Sequence, residues 1–254
     1  MANVLSHRIG YVTEPQLPLE RVAALGIKYV EMVLKEGENA DQVLALLDPH
    51  GLKVSTIHAH PTPVSDDSIL ETMAQATEFA LAVGAKGFFV SVLAGETPLD
   101  EAYTRLRQVG EIAGSRGLFV AMETHEDLCE NAAKAIQTLE AVNHPAFGWN
   151  LDTANIYYYN ENIDVVEEAR KAAKWVRSVH AKDTTGGFKD PNFPNLGEGI
   201  VDFAGVGKAL AAVGFDGPYT MELEGVAGSA GSVEEMERNV GLCAEHLRSL
   251  GLVD

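Results

Sequence analysis

This sequence contains few cysteines and no long apolar run. Cys129 and Cys243 are the two cysteines in 254 residues, and two such residues far apart do not form a disulfide framework. No apolar run approaches the roughly 18 residues that a membrane-spanning helix requires. The start of the chain, MANVLSHRIGYV, lacks the basic segment and apolar stretch of a signal peptide. We therefore expect a cytoplasmic protein that spans no membrane.

Basic residues are also scarce. The chain has 19 Lys and Arg against 37 Asp and Glu, which gives a formal net charge of -18. Non-specific binding to nucleic acid or to an anionic membrane needs a cationic surface, so both classes of partner are disfavoured. This balance still permits one local basic pocket. The expected partner is a small molecule, and a homo-oligomer stays open as an alternative to a monomer.

Short β-rich runs alternate with helical segments along the whole chain. The eight runs are residues 7–12, 29–34, 53–60, 87–93, 118–125, 147–153, 176–183 and 219–225. Between them, apolar residues recur every three or four positions, as in Ile69, Met73, Ala76, Ala80 and Val83. Asp66 and Ser232 are candidate helix N-caps, and Ser232 has Glu235 three residues later, the spacing of a capping box.

Eight strands that alternate with helices, with no linker between them, predict one α/β domain that covers residues 1–254. The count and the chain length favour a single (β/α)8 TIM barrel, which typically needs about 250 residues. No glycine-rich phosphate-binding motif follows the first run, which disfavours an open dinucleotide-binding sheet.

Four consecutive predicted strands end in side chains that can bind a metal. Glu123, Asp152, His180 and Glu222 follow one another at spacings of 29, 28 and 42 residues. In a TIM barrel the carboxyl ends of the strands form the active face, so these four groups are expected to converge. The alternative is that they are unrelated helix caps or rim residues.

A divalent cation would resolve the cost of burying three carboxylates together. Three carboxylate oxygens and one imidazole suit Mn²⁺, with Mg²⁺, Co²⁺ and Zn²⁺ as alternatives. An ion that prefers six ligands would leave two positions for a substrate.

The set ET, LDTAN, VHAKD and TMELEG resembles the xylose isomerase-like TIM barrels, also called the sugar phosphate isomerase/epimerase superfamily. The run Leu196 to Phe203, LGEGIVDF, is similar to the segment between the last two strands of that family. The resemblance implies that Glu123, Asp152, His180 and Glu222 hold one divalent metal. It also implies that Glu123 and Glu222 exchange protons with the substrate.

The implied function is that of a divalent-metal-dependent sugar or keto-sugar isomerase or epimerase that transfers a proton through a metal-stabilised enediolate. A lyase of the same superfamily, such as a keto-cyclitol dehydratase or a keto-glycoside-cleaving enzyme, uses the same intermediate and stays open. A non-catalytic sugar-binding module is a further alternative. The expected substrate is a carbohydrate or a cyclitol.

Further polar residues near the strand ends are candidates for substrate binding. His58, followed on the same strand face by His60, is expected to bind a hydroxyl or transfer a proton, or else to lie at the rim. Lys182 is expected to face the pocket and contact an enolate or a hydroxyl, while Asp183 supports the following loop. The alternative for Lys182 is a solvated position.

Three more residues belong to the expected substrate site. Glu31 is expected to contact substrate or support His58. Glu198 lies in the Gly-, Pro- and Asn-rich loop from Thr184 to Gly199, which is typical of a lid. Asn155 is expected to orient a substrate hydroxyl, since an amide is neither an acid nor a base at neutral pH.

Two features separate the sequence from branches of the family that it resembles. The ketose 3-epimerase branch and the DNA-repair branch of the endonuclease IV type place a histidine where this chain has Asn155. The DNA-repair branch also needs further metal ligands that are missing here, so DNA cleavage is not expected. We find no arginine at a matching strand end, which gives a phosphorylated substrate little support.

Overall fold

Eight parallel strands form a closed barrel in the computed structural model, which describes residues 3–59, 64, 68–224 and 231–254. The prediction of a single (β/α)8 TIM barrel is confirmed. The barrel strands are β1 (Val4–Tyr11), β3 (Tyr29–Val33), β4 (Lys53–His58), β5 (Gly87–Val90), β6 (Phe119–Glu123), β7 (Phe147–Asp152), β8 (Val176–Ala181) and β9 (Pro218–Met221). A two-residue strand, β2 (Glu14–Pro15), pairs antiparallel with the end of β1.

The barrel closes through pairing of its first and last strands. β1 pairs in parallel with β9, with Ser6 opposite Thr220, while its other edge pairs with β3. Inside the barrel, the hydroxyls of Ser6 and Ser55 lie 2.7 Å apart, and Ser178 donates a hydrogen bond of 2.6 Å to Asn150. These two contacts pair part of the polar surface inside the barrel, whereas the amide nitrogen of Asn150 and the hydroxyl of Thr220 have no hydrogen-bond partner within the described residues.

Helices follow the strands and cover the outside of the barrel. They are α1 (Leu19–Ala24), α2 (Ala40–Leu47), α3 (Ile69–Val83), α4 (Leu99–Gly114), α5 (Ala132–Val142), α6 (Asn155–Tyr159), α7 (Val165–Ala172), α8 (Phe203–Ala211) and α9 (Val233–Ser249). The predicted apolar face of α3 is buried, and Ser232 caps α9 through a reciprocal capping box with Glu235. The structure contains no helix, among the residues that it describes, with the length and hydropathy needed to cross a membrane.

The observed strands differ from the predicted ranges mainly at their carboxyl ends. All eight barrel strands end one to four residues earlier than predicted, and β1 begins at Val4 rather than at residue 7. The early ends have a physical reason, because the backbone leaves the sheet at the active face to form loops. His60 and Asp66, a candidate rim histidine and a candidate helix cap, lie outside the described residues.

Asp183 organises the long loop that follows β8. Its buried carboxylate accepts hydrogen bonds from the backbone N–H groups of Thr184, Gly197, Gly199 and Val201 at 2.8 to 3.1 Å. One carboxylate therefore joins the two ends of the loop, as expected of a supporting residue. Gly199 lies so close that an added Cβ would stand 2.2 Å from the carboxylate of Asp183.

We predict that Asp183→Ala lowers the free energy of unfolding by about 2–4 kcal/mol, because several buried N–H groups would lose their acceptor. Urea denaturation followed by circular dichroism measures this change. Asp190→Ala is the matched control, since Asp190 is an exposed aspartate of the same loop, and we expect it to change stability by less than about 0.5 kcal/mol. Equal stability of the two variants would contradict the role given to Asp183.

Candidate active site

Four buried side chains converge at the carboxyl end of the barrel. Glu123, Asp152, His180 and Glu222 each offer one ligand atom, and these atoms all lie within 4.8 Å of one another. The parallel register explains the convergence, because Asp152 stands opposite His180, and His180 opposite Thr220 on the next strand. Glu222 lies one residue beyond the end of β9. The structure thus brings together the four groups at the ends of consecutive strands.

His180 is held in a fixed orientation by carboxylates on both sides of its ring. Its Nε2 lies 3.0 Å from Oε1 of Glu31, and its Nδ1 lies 3.3 Å from oxygens of both Glu123 and Glu222. Glu31 is in turn fixed by a 2.7 Å hydrogen bond from the hydroxyl of Thr56. This arrangement directs Nδ1 into the cluster and leaves Nε2 to donate to Glu31.

The carboxylates also change the proton affinity of the imidazole. Burial disfavours the charged ring, but the negative charges of Glu31 and Glu123 outweigh it and raise the pKa of His180 to about 9. Burial also acts to raise the pKa of Glu123, yet hydrogen bonds with His180 and Ser91 hold that pKa well below its usual range. In the protein alone, the site therefore holds an ionised Glu123 carboxylate beside a cationic ring.

Asp152 provides a direct test of whether the site fits a cation. Its Oδ1 accepts 2.9 Å hydrogen bonds from the backbone N–H groups of Ala154 and Asn155. Its Oδ2 is fully buried and has no hydrogen-bond partner within the described part of the chain. Burial raises the pKa of Asp152. A buried carboxylate oxygen aimed at three other ligand atoms is what a metal site requires, so the residues present fit a divalent cation.

Lys182 lies in the cluster rather than in solvent. Its buried Nζ is 3.3 Å from Oε2 of Glu222, 3.7 Å from Oδ2 of Asp152 and 2.5 Å from Oε2 of Glu224. Burial acts to lower the pKa of Lys182, but the carboxylates of Asp152 and Glu224 raise it above the usual value. The ammonium group is consequently charged and fixed at the edge of the acidic cluster.

Arg8 is a site residue that the sequence analysis did not identify. It forms an ion pair with Oε1 of Glu222, and its guanidinium lies 4.9 Å from the ring centroid of Phe89. The expectation that no arginine reaches a strand end is therefore wrong. The predicted start of the first strand, at residue 7, caused the error. Arg8 shares the inward face of Ser6, and the observed start at Val4 places it in the second half of β1, nearer the active end.

The cluster opens into a cavity of about 320 Å³. Among the predicted substrate residues, His58, Asn155 and Lys182 line this cavity. His58 stacks on Phe89 with ring centroids 4.1 Å apart, and its Nδ1 lies 3.3 Å from Arg8. The amide of Asn155 donates a 3.1 Å hydrogen bond to the carbonyl of Thr124.

Two predicted substrate residues occupy other positions. Glu31 is fully buried beneath the cluster, where it contacts His180 rather than His58 or the cavity. Glu198 is exposed on the loop after β8 and is absent from the cavity wall formed by the described residues. Residue spacing along one strand cannot reveal the position of Glu31, because Glu31 meets His180 from a strand on another side of the barrel.

Aromatic side chains form the outer wall of the cavity. Tyr158 and Tyr159 of α6 and Phe193 of the loop after β8 line it. The Nζ of Lys182 lies 4.4 Å from the ring centroid of Phe193. The loop from Thr184 to Gly199 thus reaches over the active end, in the position expected of a lid. Ser91, which the sequence analysis did not single out, donates a hydrogen bond to Glu123.

Comparisons with known proteins agree with this geometry. A family model described as "Xylose isomerase-like TIM barrel" matches residues 19–248. An L-ribulose-5-phosphate 3-epimerase, UlaE, from Escherichia coli is 30% identical over 236 residues, which cover 81% of this chain and 80% of that protein.

Solved structures show the same fold at lower identity. A D-allulose 3-epimerase from a Methylomonas species has a TM-score of 0.79 and 16% identity, with 98% of each chain covered. A probable 3-DHS dehydratase, AsbF, from Bacillus anthracis has a TM-score of 0.73 and 16% identity, with 94% of this chain and 99% of that chain covered. Because the family model matches most of its length, this chain belongs to the xylose isomerase-like TIM barrel family.

Proposed function

We propose that this protein is a divalent-metal-dependent isomerase or epimerase of a sugar or keto-sugar. The observation that carries the proposal is the buried convergence of Glu123, Asp152, His180 and Glu222. The similarity to an L-ribulose-5-phosphate 3-epimerase favours epimerisation within this class. Mn²⁺ is the preferred ion, with Mg²⁺, Co²⁺ and Zn²⁺ as alternatives for the same donor set.

The four cluster residues would hold the ion through three carboxylates and Nδ1 of His180. A divalent cation bound there supplies positive charge that stabilises negative charge on a substrate oxygen when a neighbouring C–H bond loses its proton. Glu31 keeps the imidazole aligned by accepting from its Nε2, so that Nδ1 presents its lone pair to the centre of the cluster.

Glu123 and Glu222 are the proposed proton carriers. They reach the cluster from β6 and just beyond β9, which are separated by two strands, so they approach a bound substrate from different directions. One carboxylate removes the proton next to the carbonyl, and the other returns a proton to the resulting enediolate. Return to the opposite face of the same carbon gives the epimer, and return to the neighbouring carbon gives the isomer.

The cavity wall supplies groups that can recognise a polyhydroxylated substrate. Lys182 and His58 are placed to hydrogen-bond substrate oxygens, and Asn155 is placed to orient a hydroxyl. Tyr158 and Phe193 offer apolar faces for the ring or carbon chain of a sugar. These contacts would exclude water and fix the carbon that exchanges its proton.

Elimination is a second candidate reaction, and Lys182 is the observation that favours it. Its ammonium group lies 3.3 Å from Glu222 and can donate a proton to a leaving hydroxyl group. The same enediolate would then release water instead of accepting a proton. Analysis of products by mass spectrometry separates the two reactions, since epimerisation conserves the substrate mass and dehydration lowers it.

We predict that the purified protein contains about one equivalent of divalent metal, since the cluster offers a single four-ligand site. Inductively coupled plasma mass spectrometry measures the content, and Asp152→Ala should lose the metal while Asp190→Ala retains it. Removal by EDTA should abolish epimerisation of a ketose such as D-allulose or L-ribulose 5-phosphate, and added Mn²⁺ should restore it. A metal-free preparation that turns over these ketoses at the same rate with and without EDTA would exclude the proposal.

We predict that Glu123→Gln and Glu222→Gln each lower proton exchange by about 10²–10⁴-fold, because an amide cannot take up or donate the proton. Incorporation of solvent deuterium next to the substrate carbonyl, followed by NMR, measures this step. Metal content serves as the control, since glutamine keeps an oxygen ligand. Exchange at the wild-type rate in both metal-loaded variants rules out the two-glutamate mechanism.

We predict that Glu31→Ala weakens Mn²⁺ binding by about 10–100-fold, because His180 would lose the partner that orients it. Glu31→Gln should retain more of the affinity, since its carbonyl oxygen still accepts from Nε2. Competition with a metal-binding dye measures both affinities. If the two variants bind Mn²⁺ as tightly as the wild type, Glu31 does not position the ligand.

A further inference from the structure

A second cavity lies at the opposite end of the barrel from the acidic cluster. It has a volume of about 690 Å³ and shares no lining residue with the active-site cavity. We call it the floor cavity, because the first residues of several barrel strands form it. These include Val4, Tyr29, Lys53, Phe119, Val176 and Pro218. Its volume falls within the range of about 300–1,000 Å³ that is usual for small-molecule sites.

The charge of the floor cavity is opposite to that of the chain. Four cations, Lys53, Lys86, Lys174 and Arg177, line it together with a single carboxylate, Asp216. The whole chain has 19 basic and 37 acidic residues, so four bases with one acid depart strongly from the average surface. Such a concentration of positive charge raises the local concentration of anions.

The four cations are not neutralised by neighbours. Within residues 3–59, 64, 68–224 and 231–254, none of them forms an ion pair with a carboxylate. Arg177 makes only long contacts of 3.4 and 3.5 Å with the backbone carbonyls of Lys174 and Pro145. The Nζ of Lys174 lies 5.0 Å from the ring centroid of Trp175. This contact leaves the positive charge uncompensated, so the four cations can attract an anionic ligand.

The cations approach the cavity from opposite sides of the barrel. Lys53 begins β4 and Lys86 directly precedes β5, whereas Lys174 and Arg177 flank the start of β8. In the strand order, β4 and β8 stand four positions apart in a closed barrel of eight, and so face each other across it. A ligand between them would be held from two sides, which a chance run of surface lysines does not provide.

Apolar side chains form the rest of the floor cavity. Tyr29, Phe119 and Phe215 contribute aromatic surface, and Val213 is 52% exposed at its edge. Inorganic phosphate alone would leave this surface in water, whereas a ligand with an aromatic or apolar body would cover it. Because both cations and apolar side chains line the cavity, it favours an anion that also has an apolar part.

We propose that the floor cavity binds a small organic anion with an aromatic or apolar body, the chemistry shared by nucleotides and aromatic carboxylates. The cations hold the anionic group, and the aromatic side chains pack on the body. This site is independent of the reaction at the other end of the barrel, so its failure would leave the proposed function untouched.

Isothermal titration calorimetry with four probes tests the proposal. AMP and benzoate represent the two sources of the ligand, adenosine lacks the charge, and inorganic phosphate lacks the apolar body. We expect AMP or benzoate to bind at least about tenfold more tightly than adenosine and phosphate, because only they satisfy both features. Absence of measurable binding of both AMP and benzoate at millimolar concentration would overturn the proposal.

Reversing the charge of two floor-cavity lysines tests whether the probe binds in this cavity. The double variant Lys53→Glu/Lys174→Glu should lose at least about tenfold in affinity for the bound probe. Lys134→Glu/Lys208→Glu is the matched control, since it changes two exposed lysines outside the cavity by the same total charge. Val213→Trp should weaken binding by narrowing the edge without a change of charge.

Two further results decide against the proposal. Equal affinity of the reversal variant and its control would place the anion elsewhere on the surface. Analytical ultracentrifugation that shows a dimer, dissociated by Val213→Trp, would mean that a second copy covers the cavity instead. Circular dichroism of every variant verifies that it is folded before its affinity is compared.

Discussion

Balancing buried negative charge at one end of the barrel is the constraint on which the active site depends. Glu31, Glu123, Asp152 and Glu222 are all buried there. The permanent cations within reach of them are Arg8 and Lys182, so two negative charges stay uncompensated when His180 is neutral, the form in which an imidazole binds a metal. A buried carboxylate without a partner costs several kcal/mol, so this deficit must be met. A divalent cation at the centre of the cluster would meet it in charge, and Oδ2 of Asp152, which accepts no hydrogen bond within the described residues, would be one of its ligands.

The barrel stabilises this charge cluster because a rigid strand holds each of its members in place. The register between β7 and β8 sets Asp152 beside His180, and Glu31 fixes the ring from β3. Ser91 and Thr56 add hydrogen bonds to the carboxylates of Glu123 and Glu31. Preorganised groups lose little freedom when they bind a ligand, which favours both metal affinity and catalysis.

The fold and the four cluster residues were predictable because both depend on local order along the chain. One strand end recurs in each strand–helix repeat, and a polar residue at the end of an apolar run is visible without knowledge of tertiary contacts. The presence of Arg8 in the site was not predicted, because β1 begins three residues before its predicted start and Arg8 therefore lies farther along the strand than expected. The contact between Glu31 and His180 was not predicted for a different reason, since it joins two strands that are distant in sequence. The floor cavity likewise combines the starts of strands that no local pattern connects.

The proposed metal ligands lie at the ends of strands, whereas the cavity wall lies on a helix and a loop. This difference explains why the reaction class is easier to infer here than the substrate. The proposed ligands lie at or just beyond strand ends, where the parallel register constrains their positions. The walls of the cavity come from α6 and from the loop anchored by Asp183, where Tyr158, Tyr159 and Phe193 project. The loop is held at its base by the carboxylate of Asp183 and nearer its tip by Lys189, whose backbone N–H donates to the carbonyl of Tyr158. The aromatic wall is therefore carried by segments other than the strands that carry the cluster. In the proposed reaction, the strand ends carry the proton chemistry and the aromatic wall selects the sugar.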